Sequence, residues 1–396
     1  MRPALVPLAL VALAASCALH AAACASPVAT DPSCGHVALD RPVLVLEHGA
    51  STSALARLSG GCFTEASPDG VWGQDQSLLD ARGRPFVAVN TDGSLRPLDS
   101  SSLAITKTYD AYPDQHGGTS IPHSIYGVDT DAGGNLWISR DDVSSLAVLR
   151  PDGSLAAAVD LASLDPKFGN PRMNGVLIQG QTAFVMLGFL ATPFAQPNAD
   201  HAWRVGAIAR VDTPTRKILS TIDLIGHNPV RKLIPIDATG KVVLVATPGE
   251  HDDDKTPEDG IDRVDLEAGT ATQLISETEL GGSVDEVVWA SEHEAYAIVL
   301  GPQPGLNPTK VIAFDPSQPP GHRVLRTLAK APWFDDPVNG QAYVHTGLGL
   351  DGGYVLVGDQ TYRQTRIRVF SRATGMEQPS VPTTNGAPTA LLAIDP

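Results

Sequence analysis

The sequence predicts an all-β chain, a seven-bladed β-propeller of four-stranded blades. Three observations carry that expectation. Short runs of strand-like alternation are separated by Gly, Asp, Asn and Pro turns, and no sustained helical period follows the first residues. A strand–turn–strand unit recurs, as "YGVDTDAGGNLWIS", "LIPIDATGKVVLVA", "VVWASEHEAYAIVL" and "LGLDGGYVLVGD". Finally, the two ends complement each other. The first repeat, "RPVLVLEHGASTSALARLSG", lacks an inner strand, and the chain finishes on one, "APTALLAID". Pairing them closes the ring and hides the edges that would otherwise seek partners.

Each unit is followed by a third strand, a turn and a fourth strand. Ser59, Asp99, Asp152, Asp212, Asp265, Asp315 and Ser371 end the seven third strands, spaced by roughly 40 to 60 residues, the period of propeller blades. Their acids are turn chemistry, because Asx side chains accept hydrogen bonds from the reversing backbone. The blades occupy residues 42–396, preceded by a tail at 26–41 and an export signal at 1–25. In the signal, Arg2 is the only charge before the apolar run "ALVPLALVALAA". "AASC" at Cys17 and "AAAC" at Cys24 are imperfect lipobox-like sequences, so a lipid anchor at either cysteine and plain secretion are both open. The expected location is the periplasm, the outer membrane or the medium. No later segment approaches the ~20 apolar residues of a transmembrane helix.

Outside the signal the remaining cysteines, Cys34 and Cys62, are an even pair in an exported chain, which predicts a disulfide between tail and first blade. No zinc spacing of Cys and His occurs, and no metal or other cofactor is assigned. The formal net charge of −16, from 28 Lys+Arg against 44 Asp+Glu, disfavours nucleic acid, anionic lipid and polyanionic partners. A monomer is expected.

The third strands "IARVD" and "VIAFD" give the chain, over residues 40–396, a pattern that resembles the YVTN/quinoprotein-like family of seven-bladed propellers. The second strands "LWIS", "VLVA" and "YAIV" stand where that family carries its signature tetrad. The resemblance implies a fold and no catalytic residues, since the family includes binding proteins, lactonases and cofactor-dependent oxidoreductases.

Function should sit on one face. First-to-second and third-to-fourth turns such as "DATG" and "RPDG" are tight, whereas connections such as "LGFLATPFAQPNADHAWR" and "ATPGEHDDDKTPEDGI" are long. Counting six residues back from the first-turn positions Asp129, Asp237, Ser291 and Asp351 lands on His123, Arg231, Asp285 and His345. The same count gives Gln74, Thr389, and Met173 or Asn174. His123, Asn174, Arg231, Asp285 and His345 are therefore the candidate ligand residues at the channel mouth. Arg231 would grip an oxyanion, Asp285 would orient a neighbour, and a histidine would exchange a proton. The competing expectation is that Arg231 and Asp285 merely pair between blades. A metal site would need His123, His345 and His227 brought together by the ring. "GEHDDDKTPEDGID" lacks EF-hand register and reads as a solvated loop. Trp203, Phe189 and Phe194 either floor a pocket or pack the loop on itself.

No nucleophile elbow, P-loop or Rossmann fingerprint occurs. The expected function is an exported envelope scaffold that binds a protein, glycan or small molecule on the long-loop face. The alternative is a propeller enzyme, a hydrolase or lyase or a metal- or quinone-assisted oxidoreductase, using His123, Arg231, Asp285 and His345.

Overall fold

A computed structural model describes residues 37, 39–48, 53–59, 62–66, 76–115, 124–191, 203–249, 258–301, 309–330, 344–360, 365–383 and 386–394. Among them the strands form seven four-stranded antiparallel sheets. Blade 1 combines the C-terminal strand Ala387–Ala393 with Val43–His48, Ser53–Ser59 and Cys62–Ala66. Ala393 faces Val43 and Ala387 faces His48, so the last strand supplies the inner edge that the first repeat lacks. The other inner strands are Gln76–Ala81, Ile125–Thr130, Met173–Gln179, Val230–Pro235, Ser283–Ser291 and Val344–Asp351, for blades 2 to 7. Each inner strand contacts the next around the ring, and blade 7 contacts the C-terminal strand.

The blades are held by apolar clusters between neighbouring sheets. One joins Trp137, Leu146 and Val148 of blade 3 to Ile178, Val185 and Ala209 of blade 4. Another joins Leu244 and Ile261 of blade 5 to Val284, Ala297 and Phe314 of blade 6. Second strands are buried almost throughout, as in Leu136–Arg140 and Val242–Thr247. Burial on both faces of such strands drives the stacking at about 25 cal/mol per Å² of apolar surface.

The turn acids work locally. Asp152 accepts from the Ser154 amide, Asp212 from Thr215, Asp265 from Glu267 and Ala268, and Asp315 from Ser317. Hydrogen bonds from Ser101 and Ser102 hold the Asp99 carboxyl down at about 2. In blade 3 the first turn is organised by Asp131, which accepts from the Gly133 and Asn135 amides at 2.9 Å each. Asp129 is a tie between blades, accepting from the Ile178 amide at 2.6 Å. That corrects the sequence register of blade 3 by two residues, because the buried acid and the turn acid are two positions apart. Asp351 likewise accepts from the Asp40 and Arg41 amides rather than capping its own turn, pinning the incoming tail to blade 7.

No helix among the described residues is long and apolar enough to cross a membrane. The export signal, Cys17, Cys24 and Cys34 lie outside the described residues. Cys62 opens the outer strand of blade 1, and its pairing with Cys34 therefore also lies outside them.

Candidate functional site

The inner strands depart from regular pairing at one common level. In blade 4, Met173 faces Leu187 and Gly175 faces Met186, leaving Asn174 as an extra residue. By the same reading the extra residue is Tyr126 in blade 3, Asp285 in blade 6, Thr346 in blade 7 and Thr389 in blade 1. In blade 5 the bulge is larger: Val230 faces Ala246 and Ile234 faces Leu244, so Arg231, Lys232 and Leu233 stand opposite one residue. Arg231 adopts a left-handed φ of 66° there. A bulge bends its strand and re-aims a side chain, and such features gather near functional sites. Here six of them ring a central cavity of about 1510 Å³, and all of their extra residues line it.

Glycine follows the extra residue in three blades, as Tyr126-Gly127, Asn174-Gly175 and Thr346-Gly347. The reason is close approach: a Cβ on Gly127 would lie 2.9 Å from Gly175 Cα and 2.7 Å from Ser139 Oγ. In blades 5 and 6 the corresponding residues are larger and charged, and they enter the cavity lining as Lys232 and Glu286.

Arg231 Nη2 donates to both Asp285 oxygens, at 2.9 and 3.1 Å, across the boundary of blades 5 and 6. The Asp285 charge raises the Arg231 pKa further, so the guanidinium stays charged. Asn174 is buried in the wall and donates to the Pro229 carbonyl at 2.6 Å. His345 stands one residue before its bulge and is among the residues that line the cavity, with its side chain fully enclosed. Its Nδ1 lies 3.6 Å from Asp359 Oδ1, and neither ring nitrogen has a hydrogen-bond partner. Burial pushes its pKa down to about 4, leaving it neutral. The bulge instead presents Thr346. His123, Gln74 and Phe194 lie outside the described residues. His227 ends the outermost strand of blade 4 with Nδ1 2.8 Å from Asp259 Oδ1, remote in the blade from the inner strands. Among the described residues no three His, Cys, Asp or Glu side chains gather to hold a metal.

Sequence reasoning missed Glu286, Lys232, Tyr126 and Thr346. Glu286 Oε2 accepts from the Leu348 amide of blade 7 at 3.1 Å. Burial pushes its carboxyl up to about 7 against the opposing pull of Arg231, while Asp285 adds to the rise. The recurring extra-residue-then-glycine pair was the available signal, because counting from the turn selects only one residue per blade. Trp203 also lines the cavity. Phe189 packs inward, with the Arg204 guanidinium 5.0 Å from its ring centre.

No protein-family model and no curated protein sequence matches the chain, so the resemblance to the YVTN/quinoprotein-like family rests on the sequence pattern alone. Among solved structures, the periplasmic gluconolactonase PpgL of Pseudomonas aeruginosa is similar with a TM-score of 0.55 and 18% identity, over 90% of this chain and 99% of that one. A mutant of the Synechocystis apocarotenoid oxygenase is similar with a TM-score of 0.51 and 12% identity, over 90% and 93%. At such identities the likeness shows the propeller fold alone.

Proposed function

We propose that the chain is an exported envelope propeller that binds a small polar molecule in its central channel, entered from the long-loop face. The observation that carries this reading is the ring of bulges, which spends regular pairing in six blades to turn Tyr126, Asn174, Arg231, Asp285, Thr346 and Thr389 toward one cavity. A purely structural channel has no need of such a ring, and pockets with a few convergent polar groups are where small ligands bind. Export, with or without an anchor at Cys17 or Cys24, is part of the proposal and rests on the N-terminal sequence. So does the YVTN/quinoprotein-like assignment, on its third-strand pattern.

Calorimetry of the purified chain against small polar metabolites tests the reading. Thr389→Trp, which fills the channel at a bulge, should abolish binding while the far-ultraviolet spectrum stays unchanged. Equal affinity in that variant would overturn the channel site.

One observation favours a second reading, a channel enzyme. A carboxyl held at about 7, as in Glu286, beside the Arg231 guanidinium is suited to general acid–base work near neutral pH. The two solved structures reported above are named as enzymes, a gluconolactonase and an oxygenase. Turnover of a bound ligand that stops in Glu286→Gln would select this reading. Unchanged turnover in that variant would reject Glu286 as its proton-transfer group.

A further inference from the structure

We propose that the channel ligand is a small organic monoacid whose carboxylate is held by Lys232, with Arg231 beside it. The inference deepens the channel-binding reading and rests on it.

Among the described residues the acids Asp80, Asp129, Asp141, Asp237, Asp285 and Glu286 line the cavity. Four described cationic side chains line it with them: Arg82, Arg172, Arg231 and Lys232. Three are already matched by an aspartate. Arg82 Nε lies 3.1 Å from Asp129 Oδ1, Arg172 pairs with Asp141, and Arg231 pairs with Asp285. Lys232 is exposed and makes no hydrogen bond or ion pair with any described residue, although its charge acts on Glu286. The wide bulge of blade 5 carries it into the lining directly after Arg231. The Lys232 ammonium, exposed on the cavity wall, is open to a ligand, and a carboxylate can engage it through a charge-assisted bond.

The acid nearest in effect to Lys232 is Glu286, and it is a poor countercharge. Its Oε2 is occupied by the Leu348 amide, and burial keeps the group near half-protonation at neutral pH. The groups that act on Glu286 are Arg231 and Lys232 from blade 5 and Asp285 from its own strand. Blade 7 offers it a backbone amide, since His345 is turned to Asp359. Tyr126, from blade 3, acts on Arg231 across the ring. With Glu286 protonated, the Arg231–Asp285–Lys232 group carries one uncompensated positive charge. One negative charge on a ligand matches it. A dianion such as phosphate would leave a second charge facing Asp285, and the overall −16 works against polyanions.

Linkage fixes the pH sign. A carboxylate bound beside Glu286 favours its protonated form, so binding takes up a proton near pH 7. Affinity therefore rises as pH falls through about 7.

The test is calorimetry on the purified chain with lactate, benzoate and glucuronate, and with benzyl alcohol and glucose as uncharged counterparts. At least one acid should bind, about tenfold more tightly at pH 6 than at pH 8, and better than its uncharged counterpart. Lys232→Met should weaken that acid at least tenfold, Lys232→Arg should keep most of the affinity, and Glu286→Gln should flatten the pH dependence. If Lys232→Met binds the acid as the parent does, or the uncharged compounds bind equally, the acid class is overturned. If those compounds still lose binding in Thr389→Trp, the channel reading survives. If none of the five compounds binds the parent chain, the monoacid proposal fails. Acid binding that persists unchanged in Thr389→Trp overturns the channel reading as well.

Discussion

Arg140 and Arg231 each pair with an aspartate from outside their own blade, yet one is sealed and the other faces open space. Arg140, at the end of the second strand of blade 3, has a fully buried side chain. Its Nη1 and Nη2 donate to the two Asp114 oxygens at 2.6 and 2.9 Å, and its remaining donors reach Ala111 O, Ser145 O and Ser145 Oγ. The Tyr112 ring lies 5.0 Å from its guanidinium carbon. Although burial pushes Asp114 up, hydrogen bonds from Arg140 and Ser145 bring it down to about 2. Arg231 uses one nitrogen on Asp285 and leaves 47% of its side chain exposed to the channel. A saturated guanidinium is a fastener for the loops that enter blade 3. An unsaturated one, on a strained backbone and beside an unmatched lysine, has donors to spare for a ligand.

That contrast can be broken or sharpened by substitution. Arg140→Met should have the largest effect, a loss of about 3 to 5 kcal/mol in denaturant unfolding, because it strands Asp114 and two buried carbonyls. A loss under about 1 kcal/mol would make Arg140 no more structural than Arg231.

His345 should show itself through pH. Its folded pKa is lowered from 6.5 to about 4 by burial, so the folded chain binds fewer protons than the unfolded one between those values. The stability of the neutral ring is complete above 6.5 and falls as pH drops through that window, by about 3 kcal/mol at most. Glu286 opposes it, since a carboxyl raised to about 7 adds stability as pH falls from about 7 toward 4.5. His345→Gln should remove the acid-side loss in pH-dependent melting, and an unchanged acid limb would show that His345 titrates in solvent.

Gly127→Ala should cost about 2 kcal/mol by overpacking the inner strands of blades 3 and 4, read as a lower melting temperature. A neutral result would mean that those strands can part. Arg231→Ala should have the smallest effect, under about 1 kcal/mol, since the pair is exposed on the arginine side. A larger loss would move Arg231 into the same class as Arg140.

Much of the fold was legible because its signals are local. Asp152, Asp212, Asp265 and Asp315 bond amides two or three residues ahead, so a turn acid announces itself within its own segment. The site was legible in part. Asn174, Arg231, Asp285 and Thr389 were reached by counting back from the turns. The same count chose His345, which lines the cavity one position before the bulge at Thr346, and the Asp129 register pointed to His123 in a blade whose bulge carries Tyr126. Lys232 and Glu286 were passed over because strict alternation places neighbours of channel residues on the opposite face, and a bulge suspends that rule.

The chain's own order of residues thus determined the strand alternation, the turn acids and the complementary ends whose pairing closes the ring, since each depends on neighbours in sequence or on simple periodicity. Which side chains enter the channel was decided only in three dimensions. A bulge is a mismatch between two paired strands, and Glu286 meets the Leu348 amide of the next blade 62 residues away, so neither exists until the sheets have met.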